Sequence, residues 1–173
     1  MKRDYDYVFK LCMLGDENVG KTSIVIRYTE NRFIESYKMT LGADFATKSV
    51  KIGDKRILFT IWDIGGQYRF KDLRKHYFTN ACGGILIFDV TRPETFLHID
   101  EWIKEFRSRT KGIIVLVGNK VDLRRRRMVP REAGLMVEKW LGIPYIETSA
   151  KTGVNVEEVF NLAGRLILER FSS

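Results

Sequence analysis

The sequence predicts an α/β protein in which a mostly parallel β-sheet is covered on both faces by helices. Short apolar segments alternate along the chain with longer segments whose apolar residues recur at helical spacing. This alternation is typical of parallel sheets, because each parallel strand needs a crossover connection, usually a helix. Of the 173 residues, 45% are hydrophobic and 30% are charged, which excludes a disordered chain. We find no repeat or linker and expect one domain over residues 1–173.

Strands are expected wherever a short apolar run is bounded by turn residues. The first run is Tyr7–Leu14, and a glycine-rich turn follows it. Ala43–Ile52 and Arg56–Trp62 flank the turn Gly53-Asp54, which predicts a hairpin and therefore one antiparallel edge strand in a six-stranded sheet. The other three strand candidates are apolar runs of the kind that suits the interior of a sheet: Gly84–Asp89, Ile113–Gly118 and Pro144–Thr148.

Helices are expected between these strands. An amphipathic pattern begins at Lys21, directly after the glycine-rich turn, and continues to about Glu30. The later helical patterns are Thr95–Thr110, Arg131–Leu141 and Val156–Arg170. Trp102 and Trp140 lie within these patterns, so we expect both side chains to pack. In open parallel sheets ligands bind beyond the carboxyl ends of the strands, so functional residues should directly follow the predicted strands.

The segment after the first strand has the pattern of a phosphate-binding loop. Residues 15–22 read G-D-E-N-V-G-K-T and match G-x-x-x-x-G-K-[ST] in full. Its glycines let successive N–H groups turn inward, and the following helix adds partial positive charge. Lys21 can reach the terminal phosphates, and the Thr22 hydroxyl suits Mg²⁺, which prefers oxygen ligands. The pattern predicts a nucleotide-phosphate site formed by Asn18, Val19, Gly20, Lys21, Thr22 and Ser23.

Two further segments predict that the base is guanine. Asn119-Lys120-Val121-Asp122 follows a predicted strand. The Asp122 carboxylate can accept hydrogen bonds from both N1–H and the exocyclic amine of guanine, a donor pair that adenine lacks. The aliphatic stem of Lys120 can lie along the purine face. Backbone N–H groups of Ser149, Ala150 and Lys151, within T-S-A-K after the last strand, can reach guanine O6.

Together these segments resemble the motifs of small GTPases of the Ras superfamily, and of its Rab branch most of all. G-x-x-x-x-G-K-T, W-D-x-G-G-Q, N-K-V-D and T-S-A-K stand in the family's order, and the resemblance extends from Tyr7 to about Phe171. It implies the three-layer P-loop NTPase fold and a monomeric switch that hydrolyses GTP to GDP with Mg²⁺. It also implies state-dependent protein effectors, an exchange factor and an activating protein, in signalling or vesicle trafficking.

The resemblance also implies roles for single residues around the phosphates. Asp63 would hold Mg²⁺ through water, and the Gly66 N–H would meet the γ-phosphate. Gln67 would orient the attacking water, which makes it a catalytic candidate together with Lys21, because phosphoryl transfer depends on positioning and charge stabilisation. The Thr40 hydroxyl would meet Mg²⁺ only when the γ-phosphate is present, so the metal candidates are Thr22, Thr40 and Asp63.

Two segments are expected to change conformation with the γ-phosphate, at about residues 32–42 and 64–79. In the first, Phe33 matches the family's aromatic residue that packs against guanine; the alternative is a hydrophobic residue that only fastens the loop. Tyr37 is expected to close over the phosphates. The surface presented to a protein partner would then differ between the GTP and GDP states.

The chain departs from the family pattern at two positions. Glu17 stands where the family usually has a small residue, and its carboxylate could crowd Gln67 and slow hydrolysis. The alternative is that Glu17 points to solvent and has no effect. Gly65 replaces the alanine common in Ras and Rab members, which gives an Arf-like W-D-x-G-G-Q and predicts a more mobile second switch.

Two other functions remain possible on these residues. The first is a pseudo-GTPase that holds GTP permanently as a binding module, which Glu17 favours and Gln67 and Thr40 oppose. The second is a phosphate-loop kinase for a small metabolite, which would use ATP. Residues 119–122 oppose that kinase, because their carboxylate would be left unpaired by adenine.

Charge and cysteine content indicate the cell compartment. The net charge is +8, and Arg124–Arg127 form either an exposed loop or a weak contact with acidic membrane. No aromatic residues interleave with these arginines, so we expect no nucleic-acid partner. Two cysteines in apolar runs are typical of a cytoplasmic protein, and the apolar runs are far too short to span a membrane. We expect a cytoplasmic protein that can lie peripherally on the cytosolic face of a membrane.

Overall fold

The central sheet has six strands in the order β2-β3-β1-β4-β5-β6. It is seen in a computed structural model that describes residues 4–35 and 39–173. The strands are β1 (Tyr7–Leu14), β2 (Ala43–Ile52), β3 (Lys55–Ile64), β4 (Gly83–Asp89), β5 (Ile113–Asn119) and β6 (Tyr145–Glu147). All neighbouring pairs are parallel except β2 with β3, and β2 lies at the edge. The predicted fold class and its antiparallel edge strand are therefore confirmed.

Helices cover both faces of the sheet. They are α1 (Lys21–Glu30), α2 (Lys71–Phe78), α3 (Pro93–Leu97), α4 (Ile99–Arg107), α5 (Arg131–Leu141) and α6 (Val156–Phe171). Side chains of α1 and α6, such as Ile24 and Phe160, form one buried cluster with the sheet. Side chains of α2 and α4, such as Phe78 and Phe106, form the second cluster on the opposite face, against which α5 also packs.

The alternation of side chains along β1 shows how one strand serves both clusters. Phe9, Leu11 and Met13 belong to the cluster under α1 and α6, whereas Cys12 and Leu14 belong to the cluster on the other face. Successive residues of a strand point to opposite sides, so a strand with helices on both sides must be apolar throughout. This explains why β4 and β5 are continuous apolar runs, with every residue buried.

Apart from end residues, as in β3 and β6, the structure differs from the prediction in two helices and in one side chain. The helix predicted over Thr95–Thr110 is divided at His98 into α3 and α4. Helix α2 was not predicted, because only Arg74 and Phe78 of its eight residues are buried. The Trp140 side chain was expected to pack but is 71% exposed at the end of α5. A helix adjacent to a sheet has a solvent face, and Trp140 lies on it.

The carboxyl ends of β1, β3, β5 and β6 lead into the four motif segments. Each parallel strand runs in the same direction, so these segments meet at one edge of the sheet. In the part of the chain that the structure describes, no helix is long and apolar enough to cross a membrane.

Candidate nucleotide-binding site

The loop between β1 and α1 has the backbone shape of an anion cradle. Gly20 precedes α1 with φ of 102°, and a Cβ atom there would lie 2.3 Å from the Asn119 side chain. Asn18, also in the loop, has φ of 65°. Helix α1 has no side-chain cap, so its first N–H groups remain available at the loop. An uncapped helix start behind a loop of this curvature favours a bound anion.

Lys21 is a buried cation at the centre of this loop. Its side chain folds back, and Nζ donates to the carbonyl oxygens of Gly15 at 2.7 Å and Asp16 at 2.8 Å. Burial lowers the pKa of Lys21 to about 8, against the opposing effect of the Asp63 and Asp16 carboxylates. A buried ammonium of this kind is stabilised by an anion, which phosphate oxygens would provide.

A cavity of 520 Å³ lies beside the loop and brings together side chains predicted from separate segments. Among its lining residues are Asn18, Gly20, Thr22, Ser23, Phe33, Asn119, Lys120, Asp122, Ala150 and Lys151. Phe33 is half-buried at its rim. The volume and the combination of an aromatic ring with several polar and charged side chains suit a polar small molecule that carries a planar ring.

Hydrogen bonds tie the loops around this cavity to one another. Asn119 donates to the Val19 carbonyl at 3.0 Å, and its own oxygen accepts from the Thr148 hydroxyl at 3.0 Å. Lys120 Nζ lies 2.7 Å from the Asn18 carbonyl and 2.9 Å from the Asp89 carboxylate. Asn119 and Lys120 therefore join the phosphate loop to the segments that follow β5 and β6.

Asp122 is held by a residue of another segment. Its Oδ1 accepts a hydrogen bond of 2.7 Å from the Ser149 hydroxyl. This contact fixes the carboxylate plane, while the side chain remains partly exposed at the cavity. Ser149 does not line the cavity in the described residues, but it orients a group that does.

Three oxygen-bearing side chains meet beside the phosphate loop. The Thr22 hydroxyl lies 2.8 Å from the Thr40 hydroxyl and also donates to Asp63 Oδ2. Asp63 is buried, and its Oδ1 has no hydrogen-bond partner in the described residues. Burial raises the pKa of Asp63, partly offset by the Thr22 hydrogen bond. An all-oxygen set with one unpartnered carboxylate oxygen fits Mg²⁺.

Gln67 does not point freely towards the phosphate loop. Its Nε2 donates to Glu17 Oε2 at 3.0 Å and also contacts Met39 Sδ. Glu17 is an exposed residue whose carboxylate contacts Gln67, and both sequence interpretations of its effect on hydrolysis stay predictions. The amide of Gln67 is engaged by the loop that surrounds the predicted γ-phosphate position.

Close backbone contacts account for the two glycines of W-D-x-G-G-Q. A Cβ atom at Gly66 would lie 2.6 Å from the Gly15 carbonyl oxygen and 2.6 Å from the Glu17 nitrogen. A Cβ atom at Gly65 would lie 2.9 Å from the Thr40 carbonyl oxygen. The Gly65 N–H also donates to the Gly42 carbonyl at 2.7 Å. Gly65 thus permits close contact between the two predicted switch segments, a reason that the sequence interpretation missed.

A group of side chains that sequence reasoning missed holds the backbone of Gln67. Arg74 Nη1 donates to the Gln67 carbonyl at 2.7 Å, and Arg74 forms a buried ion pair with Glu105 at 3.1 Å. The guanidinium also lies 4.3 Å from the centre of the Trp102 ring. Burial of Trp102 confirms its predicted packing role, but the indole also donates to Asp16 at 2.8 Å. The only indication of this contact in the sequence is the indole N–H, which usually finds a hydrogen-bond partner when a tryptophan is buried.

Two predicted features need separate description. Tyr37 lies outside the described residues. The arginine run is not uniform, because Arg127 is paired with Glu147 whereas Arg124–Arg126 form an exposed short turn. The carboxylate of Glu147 also raises the pKa of Arg127. One of the four arginines is therefore structural.

The sequence pattern of the Ras family matches residues 10–169. The chain is 42% identical to "Ras-related protein RABA1e" of Arabidopsis thaliana over 159 residues, which cover 91% of this chain and 73% of that protein. It is 38% identical to "Ras-related protein RABD2a" of the same plant, covering 100% of this chain and 86% of the relative. It is 39% identical to "Ras-related protein Rab-13" of Mesocricetus auratus, covering 97% and 84%.

Proposed function

Because this chain belongs to the Ras family and is a Rab-like small GTPase, we propose that it hydrolyses GTP with Mg²⁺ through the residues described above. Membership makes it a guanine-nucleotide switch in trafficking or signalling that acts with regulators and effectors. The observation that carries the finer proposal is the cluster of Thr22, Thr40 and Asp63 beside the buried Lys21. We further propose that residues 1–173 form one monomeric G domain.

The phosphates would lie in the loop of residues 15–22. Backbone N–H groups of residues 18–23 would surround the β- and γ-phosphates, and Lys21 would exchange its two carbonyl partners for phosphate oxygens. This exchange is favourable because a charged acceptor makes a stronger hydrogen bond than a neutral one. The base would lie in the 520 Å³ cavity. There Phe33 and the Lys120 stem would contact its faces and Asp122 its donor edge.

Mg²⁺ would be held by the hydroxyls of Thr22 and Thr40 and, through water, by Asp63. When bound, the ion neutralises negative charge on the phosphate oxygens. The unpartnered Oδ1 of Asp63 supports this assignment, because a buried carboxylate oxygen needs a partner. Thr40 lies in the first switch segment, so its hydroxyl links the conformation of that segment to the occupied site.

Hydrolysis requires a water molecule in line with the γ-phosphorus. Gln67 would orient this water by its side-chain amide. Its backbone carbonyl already accepts a hydrogen bond from Arg74. As the water oxygen bonds to phosphorus, the bond to the β-phosphate oxygen breaks, and GDP and inorganic phosphate form. Lys21 and the Gly66 N–H would stabilise the developing charge. Loss of the γ-phosphate would then release residues 32–42 and 64–79.

The contact between Glu17 and Gln67 favours a second candidate, a GTP-bound binding module with slow or absent hydrolysis. While the Gln67 amide donates to Glu17, this contact competes with the orientation that a water would require. The two candidates differ only in whether this contact breaks when GTP binds. The kinase alternative receives no comparable support from the cavity.

Phosphate release from the GTP complex distinguishes the two candidates. We expect single-turnover hydrolysis over minutes to hours that requires Mg²⁺ and stops when the ion is chelated. A Gln67→Leu variant, whose side chain is of similar bulk but has no polar group to orient water, is expected to lose about 100-fold in rate while GTP affinity stays unchanged. Tight GTP binding with no phosphate release over a day would instead establish the binding module.

The guanine-binding loop also has a support from α1. Arg27 Nε donates to the Ala150 carbonyl at 2.9 Å, and Nη2 donates to the Lys151 carbonyl at 2.7 Å. A trans peptide places C=O and N–H on opposite sides. By holding the Ala150 carbonyl, Arg27 directs the Lys151 N–H to the side of the peptide that faces away from the guanidinium. Ala150 and Lys151 both line the base cavity. We assign Arg27 a positioning role towards guanine O6.

Replacing Arg27 with methionine is expected to lower GTP affinity about tenfold, since two hydrogen bonds to the loop are lost. The preference for GTP over 6-thioguanosine triphosphate should shrink, because sulfur is a weaker acceptor than O6 for the loop N–H groups. Equilibrium competition between the two nucleotides measures this ratio. Arg165→Met, at an exposed position of α6, is the matched control. An unchanged ratio in Arg27→Met would contradict the positioning role.

Weak contact with acidic membrane, on the cytosolic side, also belongs to the proposed function. We place the protein in the cytoplasm on the basis of its Rab-like relatives and expect no nucleic-acid partner. The exposed Arg124–Arg126 turn lies at the nucleotide end, beside the base cavity. This position makes it a poor membrane surface, because docking there would obstruct the site.

A further inference from the structure

A second groove lies at the opposite end of the domain from the nucleotide site. It is located where β5 and β6 begin, whereas the nucleotide loops follow the ends of these strands. The groove has a volume of 490 Å³, and the ends of α4 and α6 and the loops before the two strands surround it. Its position leaves the base cavity and the loop of residues 64–67 on the far side, whereas the end of α2 lies near the groove.

The rim of this groove is basic. Arg107, Lys111 and Arg170 line it, all three are exposed, and no acidic residue lines it. Within residues 4–35 and 39–173, none of the three forms an ion pair. Exposed Arg109 lies on the same loop as Lys111. Cations that face one opening without counter-charges create a positive potential that attracts anions. We call Arg107, Lys111 and Arg170 the basic rim.

Apolar groups accompany the basic rim. The groove floor includes Ile143, Pro144 and Leu166. Trp140 and Leu141, which precede the groove residue Gly142, are 71% and 51% exposed. The Trp140 ring lies beside Lys139, whose Nζ is 5.7 Å from the ring centre. An exposed indole beside cations suits a surface that is charged outside and apolar within, as at a lipid headgroup layer.

Helix ends account for only part of this basic surface. Arg107 and Arg170 lie in the last turns of α4 and α6, where a cation offsets the negative end of the helix. Arg170 also donates to the Lys111 carbonyl. Lys111 and Arg109 lie beyond the end of α4, however, and the exposure of Trp140 has no such explanation. Cations without ion pairs in the described residues, and an exposed indole two positions before the groove residue Gly142, together suit an anionic partner with an apolar layer.

We propose that the basic rim and Trp140 dock on a bilayer that contains anionic phospholipid. Lipid phosphates and carboxylates would contact the basic rim, and the Trp140 ring would enter the headgroup layer. This orientation directs the nucleotide site and the loop of residues 64–67 towards the cytosol, where effectors can reach them. The proposal adds a surface to the proposed function and does not depend on GTP hydrolysis, so either can fail alone.

Co-sedimentation of the full chain with vesicles tests the proposal. We expect binding to vesicles of phosphatidylcholine with about a quarter phosphatidylserine, and little binding to phosphatidylcholine alone. Arg107→Glu/Lys111→Glu should weaken binding by about 30-fold. The matched control is Arg124→Glu/Arg125→Glu, which changes the net charge equally at the nucleotide end and should retain most binding. Equal losses in both variants would overturn the proposal, because net charge alone would then explain the attraction.

Two further measurements define the occupant and the orientation. Trp140 fluorescence should shift to shorter wavelength with the anionic vesicles, and the shift should disappear in Trp140→Phe. Absence of a shift on bound vesicles would overturn the proposed orientation. Inorganic phosphate and soluble glycerophosphoserine should bind far more weakly than vesicles; equal affinity would make the groove a free-anion site instead. GTP binding by every variant, measured alongside, verifies that each one folds.

Discussion

Replacing Asp122 with asparagine is expected to weaken GTP binding by about 100-fold, the equivalent of ~3 kcal/mol. The carboxylate would pair with two N–H donors of guanine, and hydrogen bonds to a charged acceptor are the stronger kind. An asparagine has one acceptor oxygen, and its amide would face the exocyclic amine of guanine, donor against donor. Isothermal titration with GTP and with GDP measures the loss, which should be similar for both nucleotides.

Asp122→Asn should also gain affinity for a different base. Xanthine carries a carbonyl where guanine carries the exocyclic amine, so the new amide can donate to it. We expect Asp122→Asn to prefer xanthosine triphosphate over GTP, and the unmodified chain to prefer GTP. Asp54→Asn makes the same change at an exposed turn between β2 and β3 and should alter neither affinity. A variant with unchanged GTP affinity would remove the assignment of the base cavity.

Replacing Glu17 with glycine is expected to accelerate single-turnover GTP hydrolysis about tenfold, which corresponds to the loss of one hydrogen bond of ~1.4 kcal/mol. Glu17 Oε2 holds the Gln67 amide at 3.0 Å, so removing the carboxylate frees the amide to orient water. The variant also removes a negative charge from beside the γ-phosphate. Rapid mixing of the GTP complex with Mg²⁺, followed by phosphate detection, measures the rate.

Two companion variants separate the causes. Glu17→Gln keeps the length and an acceptor oxygen but removes the charge, so it should give a smaller acceleration than glycine. Glu94→Gln neutralises a nearby carboxylate that does not touch Gln67 and should leave the rate unchanged. If Glu17→Gly and the unmodified chain hydrolyse GTP equally fast, the contact with Gln67 breaks on its own when GTP binds.

The arrangement of strands and motifs could be predicted because both depend on local patterns. Continuous apolar runs identified β4 and β5, since strands between two helical layers bury every residue. The bounds of β1, α1 and α5 agree with the predicted ones because turn residues delimit them. Residues that follow the strands then meet at one edge of the sheet by topology alone.

The contacts that tune the site could not be predicted, because they join residues far apart in the chain. Arg74 and Glu105 are separated by 31 positions, and Trp102 and Asp16 by 86. No local pattern specifies which buried arginine meets which carboxylate. Glu17 was singled out by its unusual residue type and Gln67 was expected beside it, but only the structure shows a hydrogen bond between the two side chains. Helix α2 was missed for a similar reason, since its few buried residues give a weak helical pattern.

Arg74, which is buried in an ion pair with Glu105, donates a hydrogen bond to the main-chain carbonyl of Gln67. Glu17 accepts a hydrogen bond from the side-chain amide of the same residue. The proposed control of the hydrolysis rate, through the side chain, is thereby separated from the backbone conformation of the switch segment. Under the proposed mechanism, rotation of one side chain would change the lifetime of the GTP-bound state without a change in the backbone of the second switch segment. A change at residue 17 alone would then lengthen or shorten the lifetime of the GTP-bound state without altering which effectors bind to it.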